Sequence, residues 1–546
     1  MLVPIPSVAV GAYVVEEFTS DEQDVLRRYF TNLDQPVFAL VNLPEVVKGA
    51  LFARYSRSAK SLRRLFLDEF VGELDIEGDA SIDATIGLDR AEELYERVFV
   101  EYGDDSVAQL GGVHLACEQA SNLLTKLLEW GRLASYLEQS TRYIAYDSRA
   151  GGRYRFYRDP EVLSSELGTR YVGDMDRLFD SYAELAPIVA DHVRQTTPKS
   201  PADSDFIYRM AVKAKALDAI RGILPAAAQS NVGMYGSGQA YEQMLLRLRA
   251  HPLPEARSYA DLILTELRKV IPSFVRRVDI PERGGEWVDY LATTRTAMED
   301  LATELVPPAP PDTEPMVDLV DFDPDAEIKV VAAMLYPYTD RPERDLEALA
   351  RAMSVDERIR VIRTYCGDRR NRRHRPGRAI ERPFYRFDVL ADYGAFRDLQ
   401  RHRMLTVDWQ QLTTRHGYTR PELVEEAGVA EQFDAAMERS HSLFEALEPS
   451  FGPQSSYAVS LAYRVRFSFN LNARSAMHLL ELRSTPQGHP AYRTVAQQMH
   501  RAIAGTAGHH AIAEMMQFVN HSTETDLERL EAERRAEARR TEIGLS

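Results

Sequence analysis

Three clusters in this 546-residue chain pair guanidinium groups with other polar side chains at spacings that suit anionic or flat ligands. The first is Arg401-His402-Arg403. It ends a predicted amphipathic helix with Tyr393, Phe396, Leu399 and Arg403 on its core side. Arg is a rigid planar fork matched to phosphate and carboxylate oxygens, so a triplet at a helix end can bracket a polyanion. The same triplet also reads as a salt-bridged surface cluster. The second cluster runs from Asn472 to Arg483. If helical, it buries Ala473, Ala476, Met477 and Leu480 and sets Arg474, His478 and Glu481 on another face, with Arg483 near the C-terminal end. That ridge can hold a planar heteroaromatic ligand and its phosphate, although a lone His is more often a hydrogen-bonded core residue. In the third, Glu138, Ser140 and Arg142 alternate. An extended backbone would put all three on one side, where they could meet a base edge, a sugar hydroxyl and a phosphate. A serine nucleophile is the weaker reading, since no neighbouring His base is evident.

Other charged groups are less telling. Arg369 to Arg378 holds six Arg in ten residues. It could contact RNA or a phosphate-rich cofactor, but it lacks interleaved aromatics. His509, His510 and Glu514 have helical ligand spacing without an HExxH pattern, so no metal is expected. The net charge of −17 argues against a general nucleic-acid coat. Two cysteines, Cys117 and Cys366, exclude a disulfide scaffold, and a reducing cytoplasm fits best. The N-terminus lacks the pattern of a signal peptide, and no apolar run is long enough to span a membrane.

The elements that must position these residues are mainly helical. Leu62, Leu65, Phe66 and Phe70 mark one helix, and Val113, Ala116, Ala120, Leu123, Leu124, Leu127 and Leu128 predict a longer one. Strands are expected at Val330–Tyr336 and Tyr385–Leu390. Five prolines between Val306 and Pro315 predict an extended spacer or a Pro-rich surface loop. The expected organisation is a module over 1–305, a linker over 306–318, a module over 319–522 and a charged tail over 523–546, read as a solvated terminal helix or frayed end. The modules look related. Glu129 to Tyr143 and Gln400 to Arg415 each place an apolar helical run and an Arg before a Ser/Thr-Thr-Arg stretch. Leu248-Arg249 through Pro252 is matched by Leu482-Arg483 through Pro486, so an old tandem duplication is inferred.

Together these motifs resemble flavin-dependent thymidylate synthase. The likeness rests on Arg401-His402-Arg403 with the Ser/Thr-x-Arg that follows, and on Asn472-Ala473-Arg474-Ser475 running into Glu481-Leu482-Arg483. In the first half, Leu133 to Tyr143, Arg221-Gly-Ile-Leu-Pro225, Leu248-Arg249 and Ala53-Arg54-Tyr55-Ser56 are similar to later or earlier parts of the same pattern. The resemblance implies a helix-rich α/β fold and a tetramer with active sites between subunits. It implies FAD, with NADPH and methylenetetrahydrofolate as co-substrates, and dUMP converted to dTMP. It assigns catalytic roles to Arg401, Arg403 and Arg249. It gives nucleotide contacts to Glu138, Ser140, Arg142, Arg221, Arg249, Thr413, Arg415 and Arg483. Cofactor contacts fall to Ser56, Glu381, Arg401, His402, Arg403, Asn472, Arg474 and His478.

The halves depart from the pattern differently. Trp130-Gly131-Arg132 stands where Arg-His-Arg is expected, Asp104 and Gln109 replace flavin contacts, and Gly238-Gln239-Ala240 replaces Asn-Ala-Arg. In the second half, two residues are inserted around Trp409 to Thr413, and Ser456 falls at a nucleotide-binding Arg. The losses look complementary, so one chain is expected to mimic a subunit pair and two chains a pseudo-tetramer. Alternatives are a flavoenzyme acting on another pyrimidine nucleotide, or a non-catalytic nucleotide or RNA binder.

Overall fold

The computed structural model describes residues 13–43, 47–48, 51–52, 55, 58–69, 111–142, 144–149, 151–201, 203–523, 530 and 534. The chain divides into two compact units. The first comprises Met1–Ala183, Leu224–Pro310 and Arg439–Val459; the second comprises Glu184–Ile223, Pro311–Glu438 and Ser460–Ser546. Each unit thus contains one segment drawn from the other half of the sequence.

Both units are built on the same sheet. In the first, β1 (Val37–Leu40), β2 (Gly112–Ser121), β3 (Ala134–Glu138) and β4 (Gln229–Ser237) lie in the order β1-β2-β4-β3, all antiparallel. In the second, β5 (Met316–Phe322), β6 (Phe384–Asp392), β7 (Thr406–Trp409) and β8 (Arg464–Asn472) repeat it as β5-β6-β8-β7. Short polar caps start equivalent helices. Ser121 and Asp392 cap the helices Asn122–Leu128 and Tyr393–Leu399; Ser237 and Asn472 cap Gly238–Arg249 and Ala473–Arg483. The fold is therefore a helix-rich α/β duplication.

Two element expectations fail for one reason, which is a run of consecutive buried residues. Gly112–Ser121 is a strand, and only Asn122–Leu128 is helical. Most of β2 is buried, so the in/out alternation of a half-exposed strand is missing. Conversely, Val330 onward lies in the helix Ala326–Leu335, whose Val330, Val331, Ala332, Ala333 and Met334 are all buried. Five buried apolar residues in a row hide the 3.6-residue stripe, and the paired valines mimic a strand. Leu62–Glu69 is helical as expected, while Phe70 lies outside the described residues. The stretch 306–315 is exposed and without helix or strand. The tail expectation needs correction where the tail is described. Leu530 is buried against Val193, Ile207 and Val212, and the Arg534 guanidinium bonds Asp203. Among the described residues, no helix is long and apolar enough to cross a membrane.

Candidate active site

In the second unit, strand register sets the geometry. Phe384 lies opposite Asn472 and Asp392 opposite Arg464, so the helices leaving β6 and β8 start from opposite ends of adjacent strands. Asp392 Oδ1 accepts from Ala395 N at 2.8 Å to start the first helix, and Asn472 Oδ1 accepts from Ser475 N at 2.9 Å to start the second. The turn after the first helix presents Arg401, His402 and Arg403. The second helix carries Arg474, His478 and Arg483. The His402 and His478 rings meet edge to face with centroids 5.3 Å apart.

A chain of polar contacts surrounds this pair. Arg483 Nε donates to His402 Nε2 at 2.9 Å. Arg375 Nη2 lies 3.1 Å from His478 Nδ1. A guanidinium only donates, so both nitrogens are acceptors, and neutral His402 and His478 carry their protons on Nδ1 and Nε2 respectively. Burial, then Arg483 and His478, hold His402 well below its ordinary value. Burial, then Arg375, Arg372, Arg483 and Arg474, hold His478 down at about 4. Both imidazoles are neutral at pH 7, among several guanidiniums. The acidic groups set against those cations include Glu381, 3.4 Å from Arg474, and Asp398, 3.8 Å from Arg483.

Asp398 brings in the first half of the sequence. Arg221, buried at 3% exposure, lies 3.4 Å from it and donates to Gly394 O at 3.2 Å. Arg221 belongs to the segment Glu184–Ile223, which is part of the second unit. Burial holds the Asp392 carboxyl above its usual value, against the pull of Arg221. This unit contains Arg221, Glu381, Arg401, His402, Arg403, Thr413, Arg415, Asn472, Arg474, His478 and Arg483. A surplus of guanidiniums around two neutral rings is suited to an anion attached to a flat heterocycle.

Several expected roles change in detail. Arg403 is exposed rather than on the core side, because the helix ends at Leu399. Glu481 is buried and bound by Arg369 through two 2.7 Å contacts, so it leaves the ridge of Arg474 and His478. Arg369 therefore leaves the basic run, which is not an open strip: Arg378 pairs with Glu381, and Arg375 faces His478. The Tyr385 hydroxyl lies 3.0 Å from His509 Nδ1, and Glu514 pairs with Arg363. No metal-binding cluster occurs among the described residues. The sequence analysis does not single out Asp398, and it treats Arg375 only as part of the basic run. An acid three residues before Arg401-His402-Arg403 is a readable signal.

The first unit holds Glu138, Ser140, Arg142 and Arg249, while Ser56, Asp104 and Gln109 lie outside the described residues. β3 stops at Glu138 and the chain turns, so the three alternating residues do not share one side. The Glu138 carboxylate is buried 3.2 Å from Lys126, which also binds Glu129. Ser140 Oγ accepts from Arg142 N at 3.3 Å, and Thr413 Oγ1 repeats this with Arg415 N at 3.4 Å, so the turn survives the insertion. Arg249 is held by Asp261 through bonds of 3.2 and 2.8 Å. The counterpart of Asn472 is Ser237 rather than Gly238, since Ser237 Oγ accepts from Ala240 N at 3.3 Å to start the helix.

The losses also fall differently from the sequence expectation. Ala462 N donates to Gly222 O in the second unit, and Ala227 N donates to Tyr457 O in the first, both at 3.0 Å. Gly222 and Tyr457 directly follow Arg221 and Ser456, which makes those two residues equivalent. Ser456 therefore lies in the same unit as Trp130 and Gly131. The departures are concentrated there, not shared out. In that unit Glu255 accepts from Ser121 N and Oγ at 2.9 and 2.6 Å and from Tyr457 Oη at 2.8 Å; burial pushes its carboxyl up to about 7.

The family model described as thymidylate synthase complementing protein matches residues 53–273 and 318–509. A UPF0159 protein of Chlamydia muridarum is 40% identical over 529 residues, 96% of this chain and 99% of the relative. One from Chlamydia pneumoniae is 39% identical over 96% of this chain and 98% of its own. A third, from Thermoplasma acidophilum, is 30% identical over 89% of this chain and 97% of its own. Among solved structures, the UMP/dUMP methylase PolB from Streptomyces cacaoi bound with 5-Br dUMP aligns at TM-score 0.30 and 18% identity, over 39% of this chain and 100% of that one.

Proposed function

The chain belongs to the thymidylate synthase complementing protein family, and from that premise we propose that it is a flavin-dependent enzyme that methylates a pyrimidine nucleotide, converting dUMP to dTMP. The observation that carries this reading is the convergence of Arg221 and Arg483 on Asp398, beside the neutral His402–His478 pair. On this reading Arg221, Arg483, Thr413 and Arg415 hold the nucleotide. Glu381, Arg401, His402, Arg403, Arg474 and His478 hold the flavin.

The donor set fits a dinucleotide. Guanidiniums suit a pyrophosphate, and uncharged imidazoles can flank a flat ring without repelling it. Asn472 fits less fully, because its Oδ1 is used by the helix cap and only its amide NH2 remains to donate. Bound FAD would supply hydride chemistry, with NADPH as reductant and methylenetetrahydrofolate as one-carbon donor. The chain's own work is to orient the rings and stabilise charge on the uracil carbonyls through Arg401 and Arg403, so no covalent Ser or Cys is required. Two chains supply four modules, in keeping with a homodimer that acts as a pseudo-tetramer.

Purified protein should carry a flavin absorbance band and oxidise NADPH only when dUMP is added. UMP in place of dUMP tests the other-pyrimidine reading. Arg401→Ala should lose flavin, while Arg221→Ala and Arg483→Ala should lose nucleotide. Arg249→Ala tests whether the first unit also takes nucleotide. A colourless protein that binds dUMP without turnover would replace this reading with a non-catalytic binder.

A further inference from the structure

The first unit contains a cavity of about 490 Å³ that the residues discussed so far do not explain. Ser140, Arg142 and Arg249 do not line it. One wall comes from the loop before the Pro160–Ser164 helix and carries Arg153, Arg155 and Arg158. The other comes from the sheet and carries Gln119, Gln139, Gln229 and Asn231.

Among the described residues, none of the three arginines makes an ion pair with a carboxylate. Arg155 donates to Ala145 O, and Arg158 donates through Nη1 to Tyr154 O and Phe156 O, so each keeps N–H groups for another acceptor. The two lining acids are committed elsewhere. Glu16 pairs with Arg64, and buried Glu118 accepts from Tyr13, Tyr55 and Leu62 N. Burial lowers the Arg158 pKa, and neighbouring Arg153 adds to this while Asp176 opposes it.

The sheet wall is shaped by an uncommon backbone. Register slips between Cys117 and Ala120, and Gln119 there adopts φ +56°, a left-handed conformation that non-glycine residues seldom take. The slip sets Gln119 N on Asn231 Oδ1 at 2.9 Å and leaves the Asn231 amide NH2 to donate. Gln139 uses its Nε2 on Ser58 O and keeps its carbonyl to accept. The cavity thus offers several guanidiniums on one side and amides of both polarities on the other. Its volume lies within the range of small-molecule sites and exceeds the needs of a single inorganic ion.

We propose that this cavity binds a phosphate monoester of nucleotide size, with its phosphate on Arg153, Arg155 and Arg158 and its uncharged part on Gln139, Gln229 and Asn231. The cavity shares no residue with the site built on Asp398, and the proposal does not depend on the activity assigned there. Calorimetric titration of the full chain tests it, with thymidine monophosphate as probe and thymidine and inorganic phosphate as controls. Two binding events per chain are expected in the wild type. Arg153→Glu, at an exposed position the fold does not need, should weaken one of them by about tenfold or more. Arg483→Ala should remove the other. Arg155→Gln provides a second probe of the same wall. Thymidine should not bind the cavity, and inorganic phosphate should bind it more weakly than the ester. The proposal is overturned if Arg153→Glu leaves both events intact, if thymidine binds as well as its phosphate, or if inorganic phosphate equals the ester. It is also overturned if Arg153→Glu abolishes dUMP-dependent turnover, since the cavity would then be part of the catalytic site.

Discussion

Asp398→Asn is the sharpest test of the second unit's site, because it removes one charge and almost no volume. Asp398 lies 3.4 Å from Arg221 and 3.8 Å from Arg483, with side-chain exposures of 14%, 4% and 15% respectively. At an effective dielectric constant of about 20, each contact carries roughly 4–5 kcal/mol of attraction. Desolvation offsets much of that, and breaking such a pair costs about 3–5 kcal/mol because the partner charge stays buried. The variant should therefore be destabilised by about 3 kcal/mol. For a unit of this size that is roughly a 6–12 °C fall in Tm. A phosphate can supply the negative charge that the two guanidiniums have lost, so dUMP should restore more stability to the variant than it adds to the wild type. Ligand at a hundredfold excess over Kd contributes about 2.7 kcal/mol. Thermal scans with and without dUMP, beside the exposed control Asp408→Asn, read both effects. If Asp398→Asn melts like the control, or dUMP protects both proteins equally, then Asp398 does not mark the anion site.

Other consequences can be measured separately. Glu481→Ala strands the Arg369 guanidinium at 2% side-chain exposure and should cost about 3–5 kcal/mol in urea unfolding; a cost below 1 kcal/mol would mean the pair is not a buried anchor. Glu255 titrates at about 7 folded against an ordinary value of 4.5, so between those values the native state holds a proton that the unfolded chain lacks. Stability is lost on that account as pH rises, and Glu255→Gln should gain on the wild type by up to roughly 3 kcal/mol between pH 4.5 and 8. A difference independent of pH would contradict the burial argument. His478 shows the opposite sign. Its folded value is depressed to about 4, so its contribution is present above pH 6.5 and fades as pH falls towards 4. Its imidazole resonances should not titrate above pH 5; a midpoint near 6.5 would remove the cationic crowding inferred around it.

The duplication was readable because its markers are local. Arg132 and Arg403, and Leu248-Arg249 and Leu482-Arg483, sit at the ends of short helices started by polar caps, and short motifs survive when those caps do. The buried stripe Ala473, Ala476, Met477 and Leu480 was legible from period alone. Misreadings came where consecutive residues are buried, as in β2 and Val330–Met334, because periodicity reports the contrast between two faces and neither run has such contrast. Partners distant in sequence were also hidden. Nothing local marks Arg369 as the partner of Glu481, or Arg221 as the partner of Asp398. The basic run looked uniform, yet one of its arginines is core and another faces the histidine pair.

The exchange of segments changes what a loss in one half means. With each module read alone, the proposed assignment takes flavin cations from the first at Trp130-Gly131 and a nucleotide cation from the second at Ser456, and each would be left with half a site. The segment carrying Ser456 belongs to the first unit, and the segment carrying Arg221 to the second. Both losses therefore fall on one unit, and both retained sets fall on the other. In the first unit Lys126 pairs with Glu129 and Glu138, and Arg249 with Asp261. In the second, Arg221 and Arg483 share Asp398 and Arg474 lies against Glu381, beside two neutral imidazoles. On the proposed assignment, divergence after duplication takes a direction: one unit is released from the shared chemistry and the other retains it. Titration of dUMP against flavin-loaded enzyme should accordingly show one site per chain that perturbs the flavin spectrum. Two flavin-perturbing sites per chain would mean that the internal pairs of the first unit open for ligand, and the asymmetry argument would fail.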